Sequence, residues 1–86
     1  MKIVEEIEWA RRVLNLPPLS SIKDLKSIYK NLQKEFHPDI VGDNEHIRDI
    51  NKAYNIIKVF IENYRFRFSQ DEILSQYPEH IQNFKN

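Results

Sequence analysis

The sequence predicts a small all-α domain, and two observations carry that prediction. The 86 residues include a single glycine, and the four prolines, at positions 17, 18, 38 and 78, divide the chain into segments without helix breakers. Within these segments apolar residues recur at steps of three and four, which places them on one face of a helix. A chain of this length forms one domain with a modest core.

The first predicted helix runs from about Ile3 to Asn15. Its apolar residues fall in one narrow stripe at helical spacing, and Val4, Trp9 and Val13 widen the apolar surface around that stripe, which consists of Ile3, Ile7, Ala10 and Leu14. Pro17 and Pro18 end this helix, because proline cannot donate a backbone hydrogen bond and restricts the residue before it.

The second predicted helix begins at Ser20 or Ser21 and ends near Phe36. Ser21 and Asp24 fit a capping box, with aspartate in place of the preferred glutamate. Pro38 disfavours helical geometry at the residue before it, which sets the end of the helix. The apolar residues again follow at steps of three and four: Ile22, Leu25, Tyr29, Leu32 and Phe36.

The third predicted helix starts at Asp43 or Asn44 and reaches Tyr64 or beyond. Ala53 lies beside its apolar stripe and allows another helix to approach closely. The second and third helices are therefore expected to form an antiparallel pair joined by the loop 37–42. The stripe of the third helix consists of Ile47, Ile50, Tyr54, Ile57, Ile61 and Tyr64.

A short last helix is predicted from the capping signal between Ser69 and Glu72 to about Gln76. Aromatic residues are dense just before it, at positions 60, 64, 66 and 68. Because exposed apolar surface is unfavourable, this tail is expected to fold back over the first helix and the end of the third, through Ile73, Leu74 and Tyr77. The alternative is a free arm that binds a client or partner.

Composition limits the classes of function. The chain has no cysteine, which rules out disulfides and cysteine zinc sites. Thirteen basic and thirteen acidic residues cancel, which argues against a general binder of nucleic acid or of membrane surfaces. No apolar run is long enough to span a bilayer, and the charged N-terminal residues do not form a signal peptide. We therefore expect a cytoplasmic protein.

Four lysines of the second helix form a stripe on the side opposite its apolar residues. On a helical wheel the other three lie within about 60° of Lys23, and the stripe leads into the tripeptide His37-Pro38-Asp39. A solvated helix face is one interpretation, and a docking strip for an acidic partner is the other. The residues of this lysine stripe are Lys23, Lys26, Lys30 and Lys34.

The residues of the tripeptide leave several roles open. A metal site could combine His37 and Asp39 with Asp43 and His46. A catalytic pair is a second possibility, although no serine, threonine or cysteine stands nearby as a nucleophile. A turn fixed by Pro38 is a third. A small helical nucleic-acid-binding module, using the lysine stripe and the segment YRFRFS at 64–69, is an alternative function for the whole chain.

The segment IYKNLQKEFHPD followed by INKAYNII resembles the J domain of DnaJ-type co-chaperones, whose signature is His-Pro-Asp between two antiparallel helices. The resemblance covers about residues 9–64. Leu14-Asn15-Leu16 is similar to the Leu-Gly-Val end of the family's first helix, and Ala53-Tyr54 matches its Ala-Tyr pair. Tyr29, Lys30 and Leu32 stand in the family's Tyr-Lys-Arg-Leu run, in which Asn31 replaces the arginine. The first helix has Ala10 and Arg11 where the family often has tyrosines.

This resemblance implies a regulator rather than an enzyme. J domains dock on a seventy-kilodalton, DnaK-type heat-shock chaperone and stimulate its ATP hydrolysis, so the ATP site belongs to the partner. The resemblance implies a J domain at residues 1–68, with 69–86 as an extension packed on it, in a monomer without cofactor, metal, small-molecule substrate, nucleic acid or membrane. The partner-binding residues that it implies are His37, Pro38, Asp39, Tyr29, Lys23, Lys26, Lys30 and Lys34.

Overall fold

The structure is a computed structural model that describes residues 2–36 and 44–77. These residues form four helices and no strand, which confirms the predicted all-α class. None of these helices is long and apolar enough to cross a membrane. The helices are α1 (Lys2–Leu14), α2 (Ile22–Glu35), α3 (Asn44–Glu62) and α4 (Gln70–Gln76).

Helix α1 ends in a Schellman motif, and this motif explains an asparagine in the sequence. The backbone N–H of Leu16 donates to the carbonyl of Arg11 at 2.9 Å, and that of Asn15 donates to the carbonyl of Arg12 at 3.2 Å. Asn15 has a φ of 54°, and the left-handed region suits glycine or asparagine at this position. The motif turns Leu16 into the core, where it is buried.

Helix α2 begins with the predicted capping box. The Ser21 hydroxyl accepts a hydrogen bond from the backbone N–H of Asp24 at 3.3 Å, and the Asp24 carboxylate accepts one from the backbone N–H of Ser21 at 2.8 Å. The hydrogen bonds from the Ser21 backbone and hydroxyl lower the pKa of the Asp24 carboxyl, since they favour its charged form. Both ends of the box therefore stabilise the first turn of α2.

Helix α3 is central, because it packs against both α1 and α2. Tyr29 of α2 contacts Tyr54, while Phe36, further along α2, contacts the earlier His46. The two helices therefore run antiparallel, as predicted, and α1 is also antiparallel to α3. The buried residues come from the predicted stripes, from Ala53 beside the stripe of α3 and from the turn after α1: Ala10, Leu14, Leu16, Leu25, Ile50, Ala53 and Ile57.

The C-terminal part of α3 differs from the prediction. The helix ends at Glu62, so Tyr64 does not continue its apolar stripe and is half exposed. The backbone N–H of Tyr64 donates to the carbonyl of Ile61 at 3.2 Å, a tight closing turn. The rings of Tyr64, Phe66 and Phe68 contact one another at tilted angles, and Phe66 and Phe68 are exposed.

Helix α4 begins at the predicted cap, where the Ser69 hydroxyl accepts from the backbone N–H of Glu72 at 3.2 Å. The Glu72 carboxylate does not return a bond to Ser69. It accepts instead from the backbone N–H groups of Arg67 and Phe68, at 2.9 and 2.8 Å. The side chains expected as contacts with the other helices, Ile73, Leu74 and Tyr77, are exposed, and the packing of residues 69–86 on the rest of the chain stays a prediction.

Candidate functional site

Helix α2 presents two distinct faces. Leu25 is fully buried on one side, and the other apolar residues of the helix are half-buried around it. On the opposite side the four residues of the lysine stripe are all exposed, as the helical wheel predicts: Lys23, Lys26, Lys30 and Lys34. The stripe reaches the last turn of α2, and His37 follows one residue after the helix cap at Phe36.

Tyr29 lies on the packing face and joins α2 to α3. Its ring stacks on that of Tyr54, with centroids 3.9 Å apart and planes 17° apart. Its hydroxyl donates to Asn51 Oδ1 at 2.6 Å and accepts from Gln33 Nε2 at 2.7 Å. Gln33 Nε2 also donates to Asn51 Oδ1 at 2.9 Å. This polar network holds the two helices in register, and a direct role of Tyr29 in partner binding stays a prediction.

The sequence reasoning did not find Asn51 and Gln33 as members of this network. The spacing from Tyr29 to Gln33 is one helical turn, which is a signal for a side-chain pair on a helix. Asn51 is 22 residues from Tyr29, and only the register of the two antiparallel helices brings them together. No local pattern in the sequence contains that information.

A ring contact closes the end of the hairpin. The backbone N–H of Phe36 donates to the carbonyl of Leu32 at 2.9 Å, which completes the last turn of α2. The Phe36 ring lies 4.5 Å from the His46 ring in the first turn of α3. The two ends of the segment 37–43 are therefore brought together. His37, Pro38 and Asp39 themselves lie outside the described residues.

Of the four residues that could form a metal site, the structure describes only His46. His37, Asp39 and Asp43 are outside the described ranges, and His46 is exposed beside the Phe36 ring. Within residues 2–36 and 44–77, no group of three or more histidine, aspartate or glutamate side chains is placed to hold a metal ion. The described part of the site therefore consists of lysines on one face and a packed hairpin behind them.

The segment proposed for nucleic-acid stacking forms a series of aromatic contacts after α3. The rings of Tyr64 and Phe66 are 5.0 Å apart, and those of Phe66 and Phe68 are 6.0 Å apart. All three side chains are exposed. These rings follow α3, whereas the lysine stripe lies on α2, so the two groups come from different parts of the chain.

Comparison with known proteins gives one family. The family model described as the DnaJ domain matches residues 12–59, which include α2, the tripeptide and most of α3. The chain is 43% identical over 47 residues to the DnaJ-like protein MG002 of Mycoplasma genitalium, covering 52% of this chain and 15% of that protein. It is 35% identical over 49 residues to the chaperone protein DnaJ of Hydrogenobacter thermophilus, covering 54% of this chain and 14% of the relative. No solved structure gives a significant match.

Proposed function

The chain belongs to the DnaJ-domain family, and from that premise we propose that it docks on a DnaK-type heat-shock chaperone and stimulates the chaperone's ATP hydrolysis. The ATP site and the chemistry belong to that chaperone, so this chain acts as a regulator. Residues 1–68 form the J domain in this proposal, and 69–86 are an extension to it. The cytoplasm is the compartment that the proposal implies.

The observation that carries the proposal is the exposed lysine stripe that leads into the tripeptide. The whole chain has a formal charge of zero, so the stripe is a local concentration of positive charge and not a property of the composition. Such a patch steers a partner with an acidic surface and fixes its orientation. Its direction along α2 brings that partner toward residues 37–39.

The hairpin supports the proposal by fixing the ends of the loop. The Tyr29–Tyr54 stack sets the register of α2 and α3, and the Phe36–His46 contact joins them beside the loop. A binding segment whose ends are already held loses less conformational freedom on association. We propose that His37 and Asp39 then hydrogen-bond to the chaperone and favour one of its conformations, because a ligand shifts an equilibrium only by preferring one state.

The test is single-turnover ATP hydrolysis by a DnaK-type chaperone with and without this protein. We expect the natural sequence to accelerate hydrolysis and His37→Gln to abolish the acceleration, with helicity and melting temperature almost unchanged. The matched control is His80→Gln, which makes the same chemical change outside residues 12–59 that match the family model and should keep the stimulation. Loss of helicity in His37→Gln would show a structural histidine and refute its docking role.

The lysine stripe has its own test in the same assay. Lys26→Glu with Lys30→Glu should weaken chaperone binding and reduce its dependence on salt, since exposed charges are screened at physiological ionic strength. Each change should alter the free energy of unfolding by no more than about 0.5 kcal/mol, as is usual for surface substitutions. The same charge reversals outside the stripe, Lys2→Glu with Arg67→Glu, are the control. If both pairs of substitutions weaken chaperone binding equally, the lysine stripe is a solvated helix face and not a docking strip.

The nucleic-acid alternative is separated from the proposal by a second measurement. The exposed aromatic series after α3, with its two arginines, is the observation that favours it. Fluorescence anisotropy with a labelled single-stranded oligonucleotide should show only weak binding. Tight, salt-dependent binding that is lost on aromatic substitution, together with no stimulation of the chaperone, would establish the alternative instead.

A further inference from the structure

An apolar groove lies between the N-terminal half of α1 and the C-terminal half of α3. Its volume is about 530 Å³, and no residue of α4 lines it. The apolar side chains along it remain between 48% and 58% exposed, apart from the partly buried Ile7 and Ile56. Its lining consists of Ile3, Val4, Ile7, Ile56, Val59, Phe60, Asn63, Tyr64 and Arg65.

The same chain carries a second apolar surface on α4. Ile73, Leu74 and Tyr77 are spaced by one, three and four residues, which places them on one side of the helix, and they are 40% to 50% exposed. The segment between α3 and α4 is held by its own contacts. The rings of Phe60, Tyr64, Phe66 and Phe68 touch in series, and the Glu72 carboxylate accepts two backbone hydrogen bonds from this segment.

We propose that the groove is an interface between two copies of this chain, in which α4 of each copy lies in the groove of the other. Each chain has both an apolar groove and a helix with an apolar side. A two-fold axis would place the helix of each copy in the groove of the other. The monomer expected from the sequence is the competing prediction.

The exposed area supports an interface of this kind. Three aromatic side chains of the groove and of the α4 surface, Phe60, Tyr64 and Tyr77, are about half exposed, and at about 150–250 Å² for each side chain they present on the order of 300 Å². Five aliphatic side chains, 40% to 58% exposed, enlarge this surface toward the about 800 Å² that each partner contributes to a stable interface. Monomeric proteins rarely expose apolar patches beyond about 300–600 Å².

Charge complementarity favours α4 as the occupant. Among residues 2–36 and 44–77, the only charged side chain that lines the groove is the cation Arg65. The only charged side chains of α4 are the carboxylates Asp71 and Glu72 in its first turn. An ion pair at the rim between Arg65 of one copy and Asp71 of the other would set the direction of the helix in the groove.

Sedimentation velocity across the micromolar range tests the interface. We expect a dimer whose dissociation constant rises by about tenfold or more in Val59→Glu and in Leu74→Glu, because each change puts a charge into an apolar contact. Both residues are exposed, so circular dichroism should show unchanged folding. The control is Leu19→Glu, at a fully exposed leucine that does not line the groove, and it should remain dimeric. An unchanged dissociation constant in either interface variant would overturn the proposal.

Cysteine cross-linking distinguishes α4 bound in the groove of a second copy from α4 packed in the groove of its own chain. The natural sequence has no cysteine, so the variant Val59→Cys with Leu74→Cys carries only the two introduced thiols. Oxidation should give a chain-to-chain disulfide, well above the level in the control pair Leu19→Cys with Leu74→Cys. A monomer with a disulfide inside one chain would overturn the proposal in favour of the extension packing on its own groove. A monomer without that disulfide would overturn it in favour of a partner of different sequence.

Discussion

Replacing Tyr29 with phenylalanine should lower the free energy of unfolding by about 0.5–1.5 kcal/mol, the net value of a typical hydrogen bond. The hydroxyl donates to Asn51 Oδ1 at 2.6 Å and accepts from Gln33 at 2.7 Å. The loss should fall near the lower limit, because Gln33 Nε2 still donates to Asn51 Oδ1 at 2.9 Å and no acceptor is left unpaired. The stack on Tyr54 is kept, since phenylalanine has the same ring.

Urea denaturation and thermal melting measure the effect. A domain of this size loses about 4–8 °C of melting temperature for each kcal/mol, so a loss of about 0.5 kcal/mol corresponds to a decrease of about 2–4 °C. Tyr54→Phe is the matched control, because within the described residues the Tyr54 hydroxyl forms no hydrogen bond. That change should alter the free energy of unfolding by less than about 0.5 kcal/mol.

The Tyr29→Phe variant also separates a structural from a docking role. If the hydroxyl serves only the α2–α3 contact, stimulation of the chaperone at a temperature where the variant is folded should equal that of the natural sequence. Two results would refute the reasoning. Equal melting of Tyr29→Phe and Tyr54→Phe would show that the network adds no stability. Unchanged melting with lost stimulation would show that the hydroxyl contacts the partner.

The remaining predictions concern the core and the helix cap. Leu25→Ala removes a side chain with no exposed surface and should cost about 2–5 kcal/mol in urea denaturation; a loss below about 1 kcal/mol would contradict tight packing there. Ser21→Ala should cost about 0.5–2 kcal/mol by removing the cap, seen as a lower melting temperature. The pKa of Asp24 is lowered in the folded chain by Ser21, so its contribution is complete above the unfolded value of about 3.9 and is lost as pH falls through the folded value. The difference in melting temperature between the natural sequence and Asp24→Asn should therefore shrink in acid, and a difference independent of pH would contradict this.

The helices were predictable because each depends on local signals. The capping residues Ser21 and Ser69 lie where the structure starts α2 and α4, since an N-cap hydroxyl bonds to a backbone group only three residues away. The lysine stripe was equally predictable, because helical geometry alone places four residues at these steps on one side. The part of the site that depends on one helix therefore follows from the sequence.

The features that the sequence did not predict depend on register between elements. Asn51 enters the Tyr29 network only because α2 and α3 align as they do. The end of α3 was predicted at Tyr64 or beyond, whereas the helix ends at Glu62. The prediction was too long because the aromatic residue at position 64 continues the apolar spacing of the helix, while its ring contacts Phe66 instead. The sequence indicated the Schellman motif only through the similarity of Asn15 to a glycine of the family. The positive φ of Asn15 gives the physical reason for that similarity, because glycine and asparagine both tolerate it.

The two proposed interfaces lie toward opposite ends of α3, and this separation makes them independent. Helix α3 begins beside the segment 37–43 and ends at Glu62 next to the groove; its 19 residues span about 28 Å at 1.5 Å per residue. A second copy held in the groove would therefore leave the exposed Lys30 and Lys34 open to the chaperone. A dimer would present two such surfaces at once, and linked surfaces bind an assembled or clustered partner more tightly than single ones. If the chain does not dimerise, the tighter binding is lost, but each chain should still stimulate the chaperone. If His37→Gln abolishes stimulation, the dimer should be unchanged.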